Sequence, residues 1–253
     1  MKEKITNLLL TDEISYLSHL KMIELFGDRI IYQLLENSHG YALSLLIPTQ
    51  LSNFDIVSYP NAKYIVYVAA SEDNILRDII HKIPTDCHLV FKVSKSGEKE
   101  LIKELFNPIF IKSFISYSTD KPTENCCTNV VSDSTINELL LPLWFENGYD
   151  RSSIENYFNK GAVSFSVFSD NKPLSTCIIF PSSRNIWEIG ALHTIVAERG
   201  KGFGKNVVGI AVNHIIKMGK KPNYQVLHTN IPSIKLAESL GLQNILTLEH
   251  LYY

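Results

Sequence analysis

Cysteine is scarce and carries no chemical spacing: Cys87, Cys126, Cys127 and Cys177 form no C-x-x-C pair and stand at no metal-site distance from a histidine. A zinc centre and a disulfide framework are both excluded as organising features, and adjacent Cys126 and Cys127 read as loop residues. No apolar stretch is long enough, without polar interruption, to span a bilayer, and the segment opening Met1-Lys2-Glu3-Lys4 has no apolar core followed by a small-residue cleavage site. A cytoplasmic protein is expected. No sign of charge dominates either, since the net charge is -2, which leaves no electrostatic case for nucleic acid or an anionic membrane as partner. Internal repeats and low-complexity tracts are absent. Two phosphate loops are missing as well. A Walker A loop needs glycine where Arg199 stands and a hydroxyl residue where Asn206 stands, and a Rossmann G-x-G-x-x-G fails at Lys205 and again at Val207.

What remains is Arg199-Gly200-Lys201-Gly202-Phe203-Gly204, three glycines alternating with cationic and aromatic residues between two patterned segments. Ile186 to Ile195 is rich in β-branched and apolar residues and predicts a strand; Lys205 to Met218 repeats apolar side chains at helical spacing. Strand, glycine turn and helix make an anion cradle, because closely spaced glycines bring backbone N–H groups to a ligand and the helix start adds unpaired donors. Arg199, Lys201 and Lys205 can neutralise a pyrophosphate that also takes backbone donors from Gly200, Gly202, Phe203 and Gly204. The plain alternative is a glycine-rich turn with solvated cations.

Arg-x-x-Gly-x-Gly after a strand and opening a helix resembles the pyrophosphate loop of the GNAT (GCN5-related N-acetyltransferase) superfamily. Asn230-Ile231-Pro232-Ser233 and the short helical run Leu236-Ala237-Glu238-Ser239-Leu240-Gly241-Leu242 resemble that family's downstream segments in order and spacing. The resemblance covers roughly the C-terminal half. It implies acetyl-CoA or another acyl-CoA as co-substrate, no metal, and an amine acceptor. It also implies that the strand before the loop binds the pantetheine arm through the backbone of Leu192, His193 and Thr194, with Asn230 contacting the same arm. Val196 stands where the family often has proline.

The expected fold class is α/β with a mixed sheet: a GNAT fold in the C-terminal half and a degenerate GNAT-like α/β domain before it. Residues 1–120 and 128–253 are the expected domains, joined by a polar linker from Ser118 to Thr128. In the first, a helix over Asp12 to Phe26 precedes strands at Tyr41 to Ile47, Tyr64 to Ala69 and Leu89 to Val93, with helices at Asn74 to Ile83 and Glu98 to Phe106. The first half holds no glycine-rich phosphate loop. In the second, helices are expected at Ser132 to Phe145, with Pro142 as a break, and at Ile154 to Asn159, capped by Ser152 or Ser153. Asp170-Asn171-Lys172-Pro173 then turns a hairpin between Ala162 to Phe168 and Leu174 to Phe180. Beyond the cradle helix come a strand at Tyr224 to Thr229, a helix to Leu240 and a last strand at Ile245 to Tyr253. This order is similar to the two-domain glycine N-acyltransferase-like branch.

Glu188 matches the catalytic glutamate of that branch. An amine reaches the enzyme mostly as ammonium, so attack on a thioester needs a base to take its proton. The alternative role for Glu188 is an ordinary solvent-facing strand residue. His193 and His228 are reserve bases; strand alternation turns His193 away from the Glu188 face unless a bulge redirects it. Many family members protonate the leaving thiolate with a tyrosine, whose place is taken here by Ala237. Water, Tyr224, Tyr252 or Tyr253 are the substitutes, and a thiol pKa of about 8.5 makes the thiolate a tolerable leaving group. The expected function is N-acyl transfer from an acyl-CoA to a small amine or amino acid-like acceptor, or a peptide amine. The rivals are a catalytically weak CoA-binding regulator and an interaction module that binds no cofactor.

Overall fold

The computed structural model describes residues 1–38, 40–124 and 129–253. Cys126, Cys127 and the end of the expected linker at Thr128 lie outside the described residues. The chain divides into two compact units, residues 1–114 with 246–253, and residues 115–245.

The first unit opens with α1 (Lys2–Leu9) and α2 (Leu17–Phe26), and the second of these begins later than the expected Asp12 because a short 3-10 turn over Leu10–Asp12 intervenes. Then follow β1 (Ile31–Asn37), β2 (Gly40–Pro48), α3 (Asn53–Ser58), β3 (Tyr64–Ala70), α4 (Asp73–Ile80), β4 (Leu89–Val93), α5 (Ser96–Phe106) and β5 (Ile109–Ser118). Both faces of this sheet are covered, so its strands are near-continuous apolar runs whose alternate residues enter different cores. Ala42, Leu46, Val66 and Val68 pack with Leu76 and Ile79 of α4 and Ile102 of α5. Leu43, Leu45, Ile65 and Tyr67 pack on the other side with Ile5 and Leu9 of α1 and Leu20 of α2. Strands β3 and β4 run parallel, as the intervening helix α4 allows.

The second unit begins its sheet with β6 (Val131–Asp133), where a helix was expected to have started already; the helical turn comes only at Glu138–Leu140 and α6 (Leu141–Glu146). Pro142 does not break that helix. It sits in its first turn, where the missing N–H costs nothing. Next is α7 (Arg151–Asn159), capped by Asp150 and not by either serine: the Ser153 N–H donates to Asp150 Oδ1 at 2.7 Å. β7 (Val163–Ser169) and β8 (Lys172–Pro181) form the predicted hairpin, with Asp170 and Asn171 both at positive φ, the signature of a two-residue type I′ turn. After β9 (Ile186–Thr194) come α8 (Phe203–Lys217), β10 (Lys221–Leu227) and α9 (Ile231–Ser239). The strand order is β10-β9-β8-β7-β6, with residues 115–118 of β5 beside β10, where Ser118 Oγ donates to the Pro222 carbonyl at 2.6 Å. One face carries α8, whose Val208, Ala211, Val212 and Ile215 meet Cys177 and Ile179 of β8. The opposite face carries Leu141 and Trp144 of α6 and Ile154 of α7 against Ile178 and Phe180.

The final strand, β11 (Gln243–Tyr252), completes the first unit: Glu249 to Tyr252 pair antiparallel with Val93 back to Val90 of β4. The expected boundary near residue 120 therefore differs from the compact-unit boundary at 114/115, and residues 246–253 join the first unit through this pairing. An apolar run predicts a strand but not which neighbour it finds.

Candidate active site

The site in the second unit starts from how β9 and β10 part. They pair in parallel from Ile186↔Lys221 to Glu188↔Asn223, after which β9 continues to Thr194 and β10 to Leu227 without further registered pairs. The parted strands leave a wedge whose mouth faces the start of α8. A cavity of about 820 Å³ opens there, lined by Leu192, Thr194, Arg199, the glycines of the loop and Asn230.

Two glycines hold the loop in a shape other residues resist. Gly200 has φ +79° and Gly202, the residue preceding α8, has φ +88°; a Cβ on either would meet nothing within 4 Å, so their requirement is conformational and not spatial. Gly204 differs. Its added Cβ would lie 3.3 Å from Leu236 Cδ1 and 3.3 Å from Thr194 Oγ1, so here α8 packs too closely on β9 and α9 to take a side chain without a shift of its neighbours. The first N–H groups of α8 have no intrahelical partner and face the cavity mouth with the positive end of the helix dipole.

Of the cradle residues expected from sequence, Leu192, Thr194, Arg199, Gly200, Gly202, Phe203, Gly204, Lys205 and Asn230 border this cavity. Arg199 Nε donates to the Thr194 carbonyl at 3.1 Å, which ties the loop to the end of β9. Lys201 instead pairs with Glu198, Nζ to each carboxylate oxygen at 3.0 Å. Asn230 caps α9 by accepting from the Ser233 N–H at 3.3 Å. No group of three or more His, Cys, Asp or Glu side chains among the described residues stands ready to hold a metal ion, and no described helix is long and apolar enough to cross a membrane.

Glu188 lies opposite Phe180 of β8, so both side chains share the α6/α7 face of the sheet. Its Oε2 accepts from Ser182 Oγ at 3.1 Å, and the phenols of Tyr149 and Tyr157 stand close enough to feel its charge. Burial pushes both phenols above the ordinary tyrosine value, Tyr157 far above it, with Tyr157 stacked on Phe180 at 4.1 Å.

His193 does not face away from Glu188. The β8–β9 register shifts between Thr176 and Ile178, which oppose His193 and Gly190, so β9 carries an extra residue there; Ala191 adopts φ +52° within it. The bulge reverses the alternation, and His193 returns to the Glu188 face. Its Nε2 lies 3.1 Å from Glu146 Oε2 without hydrogen-bond alignment, so the two interact through charge when the imidazole is protonated. His228 follows the end of β10.

Ala237 is fully buried in the core beneath α8 and presents no polar group to the cavity. Tyr224 bonds through its hydroxyl to Ser233 at the cavity rim, and burial raises its pKa to about 12. Tyr252 and Tyr253 belong to the first unit, where Tyr253 Oη donates to the Thr85 carbonyl at 3.2 Å.

Sequence reasoning missed Tyr149. Its hydroxyl accepts from the Ala191 N–H at 3.2 Å, inside the bulge. The available signal was its place just before Asp150, the cap of α7, but nothing local marked the residue across the sheet.

A strand, a glycine loop and a helix N-terminus opening on parted parallel strands agree with comparisons to known proteins. The GNAT acetyltransferase family model matches residues 92–250, and the chain belongs to that family. It is thereby an acyl-CoA-dependent acetyltransferase. Among solved structures, a GCN5-related N-acetyltransferase from Kribbella flavida aligns at 11% identity with a TM-score of 0.61, over 95% of this chain and 94% of that one. A Drosophila protein aligns at 10% identity and 0.61, over 99% and 95% of the two chains. A tandem GNAT protein from the clavulanic acid biosynthesis pathway aligns at 8% identity and 0.54, over 94% and 87%. At these identities the likeness is one of fold. No curated protein sequence matches the chain.

Proposed function

We propose that the second unit transfers the acetyl group of acetyl-CoA, or a related acyl group, to a primary amine, with Glu188 as general base. The observation that carries this proposal is the cradle: Gly200 and Gly202 at left-handed φ turn the chain into α8 beyond the point where β9 and β10 lose their pairing. The pyrophosphate of the CoA moiety would take the N–H groups from Gly200 to Lys205 with the charges of Arg199, Lys201 and Lys205, once Lys201 leaves Glu198. The pantetheine arm would run along the unpaired edge of β9 at Leu192 to Thr194, with Asn230 on its other side.

The amine nitrogen attacks the thioester carbonyl carbon, and the C=O pair moves to oxygen. Glu188 takes the proton that nitrogen sheds, directly or through water. Collapse of the tetrahedral species reforms the carbonyl and breaks the C–S bond, which releases CoA as thiolate. Ala237 offers that sulfur no proton; Tyr224, bonded to Ser233 at the cavity rim, is one phenol of this unit that could.

The first unit fits the role of a degenerate copy. Its parallel pair β3 and β4, crossed by α4, repeats the pattern of β9 and β10 crossed by α8, yet Ser71-Glu72-Asp73 stand where the second unit has glycines and cations. On this basis we propose a two-domain protein similar to the glycine N-acyltransferase-like branch, acting in the cytoplasm on a small amine, an amino acid-like acceptor or a peptide amine.

Calorimetric titration with acetyl-CoA tests the proposal, with Gly202→Glu beside the parent. Saturable binding by the parent, lost in the folded variant, is the expected result. A folded parent that binds neither acetyl-CoA, longer acyl-CoAs nor CoA overturns it in favour of a module without cofactor.

A further inference from the structure

The loop between α6 and α7 is fastened to the bulge of β9 by three successive contacts in reverse order. Glu146 stands at His193, Asn147 Nδ2 donates to the Leu192 carbonyl at 3.2 Å, and Tyr149 Oη accepts from the Ala191 N–H at 3.2 Å. Gly148, at φ +83°, lets the chain turn between the last two. The phenol is fixed from behind as well, since Tyr157 meets its ring edge-on at 6.2 Å and Asp150 starts α7 immediately after it.

A tyrosine hydroxyl can accept and donate at once. Tyr149 accepts from a backbone amide, but among the described residues its own proton goes to no protein acceptor. A half-buried donor with no protein acceptor is unfavourable unless something else takes its proton. That cost is justified where a ligand supplies the acceptor. Burial together with the Glu188 charge raises its pKa above the ordinary value, against the lowering effect of the Ala191 N–H, so the proton stays on oxygen at neutral pH.

We propose that the Tyr149 hydroxyl donates a hydrogen bond to the acyl carbonyl oxygen, with the Ala191 N–H behind it polarising the phenol. This rests on the acyl-CoA function proposed above. No proton is transferred in the step. As the amine attacks, negative charge builds on the carbonyl oxygen and the hydrogen bond strengthens; as the thiolate leaves, the carbonyl reforms and the bond relaxes. Glu188 on the same face receives the amine proton, so the two side chains divide the work between nitrogen and oxygen. The glycine next to the bulge keeps the place clear: a Cβ on Gly190 would lie 3.3 Å from Tyr149 Oη and 3.0 Å from Phe180 Cε1.

The test is the carbonyl stretch of acetyl-CoA, isotope-labelled at the thioester carbon and bound at saturation to the full chain, read by difference infrared spectroscopy. Three proteins are compared: the parent, Tyr149→Phe, and the parent with ring-fluorinated tyrosine at position 149, a stronger donor of the same shape. Saturable binding certifies that each is folded. The expected band lies below the free value in the parent, closer to it in Tyr149→Phe and further below it in the fluorinated protein. A band that fluorination leaves unmoved overturns the role of Tyr149 while the acyl-CoA function stands. Failure of the parent to bind acetyl-CoA overturns both, and the calorimetric titration separates the two failures.

Discussion

Lys92 Nζ lies 2.7 Å from Asp55 Oδ1 in the first unit, with both side chains almost wholly withdrawn from water. The Ser52 side chain accepts from the Asp55 N–H at the start of α3, and Phe54 and Tyr67 stand 5.6 Å and 5.9 Å from the ammonium. Burial depresses the lysine pKa while the Asp55 charge beside it opposes that fall. Asp55→Ala is expected to cost about 3–5 kcal/mol, as removal of one partner of a buried pair does. Asp55→Leu with Lys92→Met should recover most of it. Urea denaturation measures both, and a loss under about 1 kcal/mol for Asp55→Ala, the scale of an exposed pair, would show that water reaches the pair.

Stability of the chain should carry a pH signature from Glu98. Burial pushes its carboxyl from 4.5 up to about 7, with the Lys95 charge opposing. A folded pKa above the unfolded one gives stability that is complete below the unfolded value and lost as pH rises through the folded value. Glu98 alone therefore makes the chain less stable between pH 4.5 and 7, by something on the order of 3 kcal/mol. His19, lowered to about 4 by burial, and His250, lowered to about 2 by burial and by Lys92 and Lys112, act with the opposite sign below 6.5. The difference between parent and Glu98→Gln isolates the carboxyl: that difference should shrink steadily from acid to neutral pH in the parent's favour at the acid end. A pH-independent difference would refute the shift.

Catalysis divides Glu188 from its neighbour on the same face. Glu188→Gln should lower turnover about 10²–10⁴-fold, the usual worth of a general base, with acetyl-CoA affinity retained. His193→Gln should leave turnover within an order of magnitude. If steady-state kinetics find the larger loss at His193, the bulge has brought the true base to the site and Glu188 is a wall residue.

The cradle glycines should fall into two classes. Gly200→Ala forces a side chain into left-handed φ in open space, at a cost of roughly 1–2 kcal/mol. Gly204→Val adds bulk against Thr194 and Leu236 at ordinary φ, so its effect should appear as weaker acetyl-CoA binding more than as lost stability. Thermal melting beside calorimetry separates them; equal losses in both measurements for both variants would mean the loop and the α8 contact act as one rigid body.

The sequence exposes the path from β7 to α9 because each step there obeys a local rule: a two-residue turn at Asp170-Asn171, glycines at positive φ before α8, and a helical stripe from Val208 to Ile215. The facing of His193 was hidden, since the extra residue in β9 sits at Ala191, a residue type that rarely adopts left-handed φ and therefore gives no warning. Strands β1 and β5 also went unmarked. Leu34 and Leu35 in β1 interrupt a clean two-residue alternation, and Ile109 to Ile111 in β5 are exposed, so burial does not impose one there. In β6, only three residues stand before the helical turn at Glu138, too few to outweigh the periodicity that follows. Tyr149 belongs to a further class: its importance lies in a partner across the sheet, which no window of neighbouring residues contains.

The pairing of Glu249 with Val93 sets a timetable as well as a boundary. As the ribosome delivers the chain, β4 emerges with one edge unanswered and keeps it so while every residue of the second unit is made. The second unit can close before the first is complete. A stalled or truncated product lacking residues 246–253 would thus leave β4 with an open sheet edge, the kind of surface that recruits other chains.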